Sequence, residues 1–111
     1  MSHGNRWSIV IAAWLWCASP ALADFRDGNG LLQDCSQGNI AFCYGYIDAI
    51  ADVLQSEPVN GKVSCVPFDA TMNQLKDVVV QFLLLNPSVR HASAFSLVAY
   101  AISEAFPCRR R

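Results

Sequence analysis

Five cysteines occur in the chain, at positions 17, 35, 43, 65 and 108, together with two histidines, His3 and His91. Thiols, imidazoles and carboxylates are the groups with which so small a chain could do redox, nucleophilic or metal chemistry, and their spacing decides which of these is open. A zinc site needs close ligand pairs such as C-x2-C with His nearby. Cys35, Cys43, Cys65 and Cys108 are instead far apart, and His91 is the only imidazole among them. No C-x-x-C occurs, which removes the usual support for thioredoxin-like chemistry and for haem attachment. Four cysteines in a short exported chain read as two structural disulfides.

Catalysis finds no constellation either. A Cys-His pair built on His91 demands a free thiol, and all four cysteines after Cys17 pair off in an oxidising compartment. Asp48 and Asp52 stand four apart on one helical face, where two carboxylates could act as acid and base, but nothing beside them marks a cleft. They read as a solvated acidic face. There is no G-x-S-x-G, no glycine-rich phosphate loop and no H-E-x-x-H, so the sequence is read as a protein without catalytic residues, metal or cofactor.

The oxidising compartment follows from the start of the chain. Residues 1–23 carry Arg6 in a polar opening, an apolar core from Ile9 to Ala18, a break at Pro20 and then Ala21-Leu22-Ala23. That order predicts a secretory signal peptide cleaved after Ala23. A membrane anchor needs about twice as long an apolar run. Acylation of Cys17 is disfavoured because Trp16 precedes it where a lipoprotein signal has a small residue. The expected mature protein, residues 24–111, is therefore periplasmic with no membrane insertion, and it retains seven Lys and Arg, nine Asp and Glu and no Trp.

With 111 residues in all, 53% hydrophobic and 15% charged, the chain makes one small domain, residues 24–111. A net charge of -1 leaves no basic field for nucleic acid. The Arg109-Arg110-Arg111 tail brings only about 1 kcal/mol per charge at an anionic membrane, and reads as a solvated end.

The elements that position these residues read as helices, giving an all-α, disulfide-stapled bundle of about four. Asp27 to Gly30 form a turn cluster, followed by a brief helix from Leu31 to about Cys35. Ile40, Cys43, Ile47, Ile50 and Leu54 recur at helical spacing, with Asn39 as N-cap and Glu57-Pro58 as the stop. Tyr44 and Tyr46 straddle that stripe, so at least one sits at its edge. A loop through Asn60-Gly61 leads past Cys65 and Pro67. Thr71 to Gln74 is a capping box opening a helix with Leu75, Val78, Val79, Phe82 and Leu83. The valines at 78–80 favour a strand, yet the cap, Lys76, Asp77 and the length favour helix. Asn86-Pro87-Ser88 stops it. Ser88 is expected to cap a last helix with Val89, Ala92, Phe95, Val98, Ala99, Ile102 and Phe106 as its apolar stripe.

Four cysteines allow three connectivities. If the last three helices run up, down and up, Cys65 and Cys108 arrive at one end, which leaves Cys35 to Cys43; this is the expected pairing.

Taken together, Phe25-x2-Gly28-Asn29-x-Leu31-Leu32-x2-Cys35, Cys43-x-Gly45-Tyr46-Ile47-x3-Ala51-Asp52, Cys65-x-Pro67, Gln74-Leu75-x-Asp77-Val78-Val79, Asn86-Pro87 with Arg90-His91 and Ala94, and Phe106-Pro107-Cys108 form an ordered pattern. It resembles the Rap/Tai family of small periplasmic proteins, whose characterised members are immunity proteins against peptidoglycan amidase effectors of type VI secretion systems. The resemblance implies a helical, often dimeric protein that binds the amidase and blocks its active site with a loop protruding between helices. The matching residues here are Asn86, Pro87, Ser88, Arg90 and His91. Arg90 and His91 are expected just past the Ser88 cap, off the apolar stripe and free to face a partner. The competing reading is a small periplasmic stress protein or chaperone; an unassigned cell-wall hydrolase has the least support.

Overall fold

The computed structural model describes residues 25–109; the signal-peptide reading of residues 1–23, and Arg110 and Arg111 of the basic tail, lie outside them. Four helices follow one another: α1 (Gly28–Ser36), α2 (Ile40–Ser56), α3 (Met72–Leu85) and α4 (Ala94–Ala105), with a single 3-10 turn, Pro87–Val89, between the last two. The only β features among the described residues are two isolated bridges, Asp27 with Ser93 and Val59 with Lys62. The fold is the expected all-α bundle.

The turn expected over 27–30 is instead the start of α1. Asp27 takes the N-cap position and its Oδ1 accepts the Gly30 amide at 2.7 Å. A short carboxylate satisfying an amide that has no partner within the helix converts a turn signal into a helix start. Gly28 is needed for closeness rather than for unusual dihedrals. A Cβ there would lie 2.6 Å from Leu97 Cδ1 and 2.8 Å from the Arg90 carbonyl oxygen. The helix ends just before Gly38, whose φ of +93° is readily adopted only by glycine.

In α2, Cys43, Ile47, Ile50, Ala51 and Leu54 are buried, and Glu57 closes the helix in extended geometry ahead of Pro58. Two details differ from the sequence reading. Ile40 opens the helix at the surface, and Asn39 makes no capping bond; its side-chain amide donates to Asp34 Oδ1 at 3.3 Å. In the following loop Asn60 and Gly61 both have positive φ, 51° and 75°, which lets Val59 and Lys62 exchange backbone hydrogen bonds across a tight turn. The Cys65 amide donates to the Phe106 carbonyl at 2.9 Å, so the loop is tied to the end of α4.

α3 has its capping box in full: the Gln74 amide donates to Thr71 Oγ1 at 3.2 Å, and the Thr71 amide to Gln74 Oε1 at 2.8 Å. Leu75, Val79 and Leu83 face inward. α4 begins at Ala94 rather than at Val89, because Ser88 lies inside the 3-10 turn and caps nothing. The later start turns the stripe: Ala94, Leu97, Val98, Ala101 and Ile102 are buried, whereas Val89 and Phe95, expected in it, remain exposed. Small residues at 94, 99 and 101 let the neighbouring helices approach, and every pair of the four helices is in contact. Leu31, Ile47, Leu54, Val79, Leu83, Val98 and Ile102 are the largest side chains fully removed from water, worth about 1.5–3 kcal/mol each.

The disulfides are those the up-down-up arrangement predicts, Cys35 with Cys43 and Cys65 with Cys108. The first clasps the end of α1 to the first turn of α2. The second fastens the long loop to the segment after α4.

Candidate partner-binding face

The turn between α3 and α4 holds all five residues singled out above, and backbone hydrogen bonds fix its shape. Asn86 closes α3 by donating its side-chain amide to the Phe82 carbonyl at 2.8 Å. Pro87 has no N–H and preset dihedrals, so the chain leaves the helix there. Within the turn Val89 N donates to Asn86 O at 3.2 Å, and Ala92 N to Val89 O at 2.9 Å.

The same turn is docked on the start of α1. Asn29 N donates to Arg90 O at 2.9 Å, Gly28 N to Ala92 O at 3.0 Å, and Ala94 N to Arg26 O at 3.0 Å. The first amides of a helix have no partner inside it and carry partial positive charge. Here they meet two carbonyls of the turn, so each segment satisfies the backbone of the other. The result is a loop held by its backbone against the start of α1.

Asn86, Pro87, Ser88 and His91 are exposed on this loop. Arg90 is half-buried, and its Nε is buried without a hydrogen-bond partner among the described residues. Arg90 and His91 therefore lie in the turn before α4, not in that helix as the Ser88 cap would have placed them. On the α3 side Leu84 and Leu85 are 58% and 70% exposed, an apolar flank larger than a solvated turn requires.

On the other side, Ser93 leads into a cleft of about 470 Å³ walled by Phe25, Arg26, Phe42, Tyr46, Ser93 and Phe95. The Arg26 guanidinium lies over the Phe42 ring at 4.6 Å, and its Nε faces Asp34 Oδ2 at 3.2 Å. The Phe42 and Tyr46 rings are tilted at 5.7 Å. Burial raises the Tyr46 phenol above its ordinary range, against the opposing influence of Arg26 and of a hydrogen bond with the Phe95 backbone. The sequence reading did not pick out Arg26 or Phe42, gave Phe25 only as the opening of the family pattern, and placed Phe95 in the core. The legible signal was Phe42 and Tyr46 spaced i, i+4 at the edge of the α2 stripe. Tyr44, the other ring at that edge, donates its hydroxyl to Asn73 Oδ1.

Elsewhere the residues considered for chemistry stay apart. Asp48 and Asp52 are exposed on α2 and line neither this cleft nor a second one, of about 420 Å³, that includes Asp69, Gln74 and Asp77. Cys35, Cys43, Cys65 and Cys108 are all in disulfides, so His91 has no thiol among them to activate. Among the described residues no three of His, Cys, Asp and Glu gather as metal ligands, and no helix is long and apolar enough to cross a membrane.

No curated protein and no solved structure matches the chain. The family model of the Rap1a immunity proteins matches residues 27–108. The match runs from the cap of α1 to the last cysteine and takes in all four helices, both disulfides and the docked turn. The chain thus belongs to the Rap1a immunity protein family, and is a binding protein for a cognate effector rather than an enzyme.

Proposed function

We propose that this protein neutralises a peptidoglycan amidase effector of a type VI secretion system, in the periplasm, by covering the amidase active site with the turn from Asn86 to His91. The family assigns the effector-immunity role. The amidase as target and occlusion as mechanism are the reading proposed. The observation that carries it is the clamping of this turn onto α1 through the Arg90 and Ala92 carbonyls, which orders the loop before any partner arrives. A preordered loop forfeits little conformational entropy on insertion, and affinity rises accordingly.

The periplasmic location rests on the signal-like order of residues 1–23 and on two disulfides that an oxidising compartment would maintain. The experiment replaces Arg90 and His91 with Ala and titrates the protein into its cognate effector by calorimetry, while following release of peptidoglycan stem peptides. Weakened binding and restored amidase activity, at unchanged helicity, are expected. Unaltered affinity removes the turn from the interface, and an effector without amidase activity removes the proposed target.

A further inference from the structure

The two disulfides differ in their access to an incoming thiol. Cys43 is 0% exposed and Cys35 packs against the core, so the clasp between α1 and α2 is shielded from a nucleophile. Cys65 is exposed and Cys108 half-buried, where the long loop meets the segment after α4. We propose that the Cys65–Cys108 bond is a thiol–disulfide exchange site, at which the folded protein reacts with a dithiol oxidoreductase of the C-x-x-C type through a mixed disulfide on Cys65.

Exchange begins when a thiolate reaches a disulfide sulfur, so exposure decides which bond reacts, and the sulfur that departs is the one whose thiolate is better stabilised. Access selects Cys65 for attack. Charge selects Cys108 for departure. Arg109 adjoins Cys108, is exposed, and makes no ion pair among the described residues, whereas Glu104 stands four positions back at the end of α4. On the Cys65 side Lys62 lies over the Tyr100 ring at 5.2 Å, and Asp69 brings a negative charge to the cleft it lines with Pro67 and Phe106.

The attacking thiolate forms a bond to Cys65 Sγ as the Cys65–Cys108 bond breaks, and the electron pair leaves on Cys108 Sγ. The second thiolate of the dithiol then attacks the oxidoreductase sulfur of the mixed disulfide and releases Cys65 as a thiolate. Two electrons pass to this protein, its thiolates take protons from water, and the dithiol becomes a disulfide. Reclosure competes with that second step. The Cys65 amide donates to the Phe106 carbonyl at 2.9 Å and the Ser64 amide to the Leu54 carbonyl at 3.3 Å, so Cys108 stays close enough to attack Cys65 again while the fold persists. The cleft beside the bond includes Gln74 in the first turn of α3, and the fourteen residues of that helix put about 20 Å between it and Asn86. Exchange there leaves the turn from Asn86 to His91 unobstructed.

The test has two arms. In the first the exported, oxidised protein is incubated with 2-mercaptoethanol under native conditions, quenched and alkylated at intervals, and mapped by peptide mass. The Cys65–Cys108 bond is expected to open at least about tenfold faster than Cys35–Cys43, with the early mercaptoethanol adduct on Cys65 and the alkyl group on Cys108. Equal rates, or earlier opening of Cys35–Cys43, overturn the site, and an adduct mainly on Cys108 overturns the direction of attack. Arg109→Ser is expected to shift the early adduct from Cys65 toward Cys108 by about threefold at low salt, and an unchanged ratio overturns the role of Arg109.

In the second arm the probe is reduced thioredoxin whose second active-site cysteine is replaced by Ser, so that the mixed disulfide persists. A covalent adduct through Cys65, lost in Cys65→Ser/Cys108→Ser, supports the proposal. Absence of the adduct in the wild type overturns the oxidoreductase as reactant, and an adduct that survives Cys65→Ser/Cys108→Ser overturns the site.

Discussion

At the scale of single residues, Gly28 is the position where sequence and tertiary contact meet most tightly. Its missing side chain is what lets the start of α1 reach the Arg90 carbonyl, and a methyl group there meets backbone at 2.8 Å as well as the end of Leu97 at 2.6 Å. Leu97 has rotamers with which to yield, but the carbonyl cannot move without releasing the Asn29 amide that it accepts. Gly28→Ala is expected to cost about 1–3 kcal/mol, read as a lower melting temperature, and to increase hydrogen exchange at Asn29. An unchanged melting temperature would show that the turn is not held in this way. Tyr46 supplies a pH signature. Burial raises its folded-state pKa, so the unfolded chain ionises first, and stability falls as pH rises through the ordinary tyrosine range toward the raised value. Denaturant titrations over roughly pH 9 to 11 should show a shallower decline for Tyr46→Phe than for the wild type. Parallel curves would mean that the phenol is no more buried in the folded state than in the unfolded one.

At the scale of elements, the two disulfides do unequal work. The Cys65–Cys108 bond closes a separation of 43 residues and the Cys35–Cys43 bond one of 8. In the chain-entropy picture the first contributes about 4 kcal/mol and the second about 2.5 kcal/mol. Replacing Cys65 and Cys108 by Ser should therefore lower the denaturant midpoint more than replacing Cys35 and Cys43. The reverse order would place the main constraint in the α1–α2 clasp. The helices themselves were largely legible. Thr71 and Gln74 announced α3 because both halves of a capping box are local, and Pro58 announced the end of α2 because a proline restricts the residue before it. α4 was misjudged at its start, since Ser88 is as good a capping residue as Ser93 by type. The Ala94 amide is met by the Arg26 carbonyl, from the other end of the chain.

At the scale of the whole molecule, the expected history is export, cleavage and oxidation in that order. Intact-mass analysis of the periplasmic protein should give a chain starting at Asp24, lighter by four hydrogens than the fully reduced form. A species retaining residues 1–23, or one lipidated at Cys17, would refute the processing. The ion pairs of the described domain mix the two signs of charge, Arg26 with Asp34 beside the aromatic cleft and Lys76 with Asp77 on α3.

The sequence by itself determined the helical class, the disulfide chemistry, the lack of a catalytic constellation and the family pattern, because each rests on residue type at short or countable spacing. Hydrophobic period, caps and proline stops act within a turn or two of the chain. The tertiary structure alone decided that residues 27–30 open a helix, that Phe95 and Val89 stay in water, and that Arg90 is half-buried with its carbonyl bound to α1. The placing of the turn and the late start of α4 rest on one contact, the backbone exchange between residues 26–29 and 90–94, which meets the helix start that the Asp27 side chain caps. Its partners lie more than sixty positions apart, and a backbone hydrogen bond leaves no mark on residue type except at Gly28, where only the smallest residue fits.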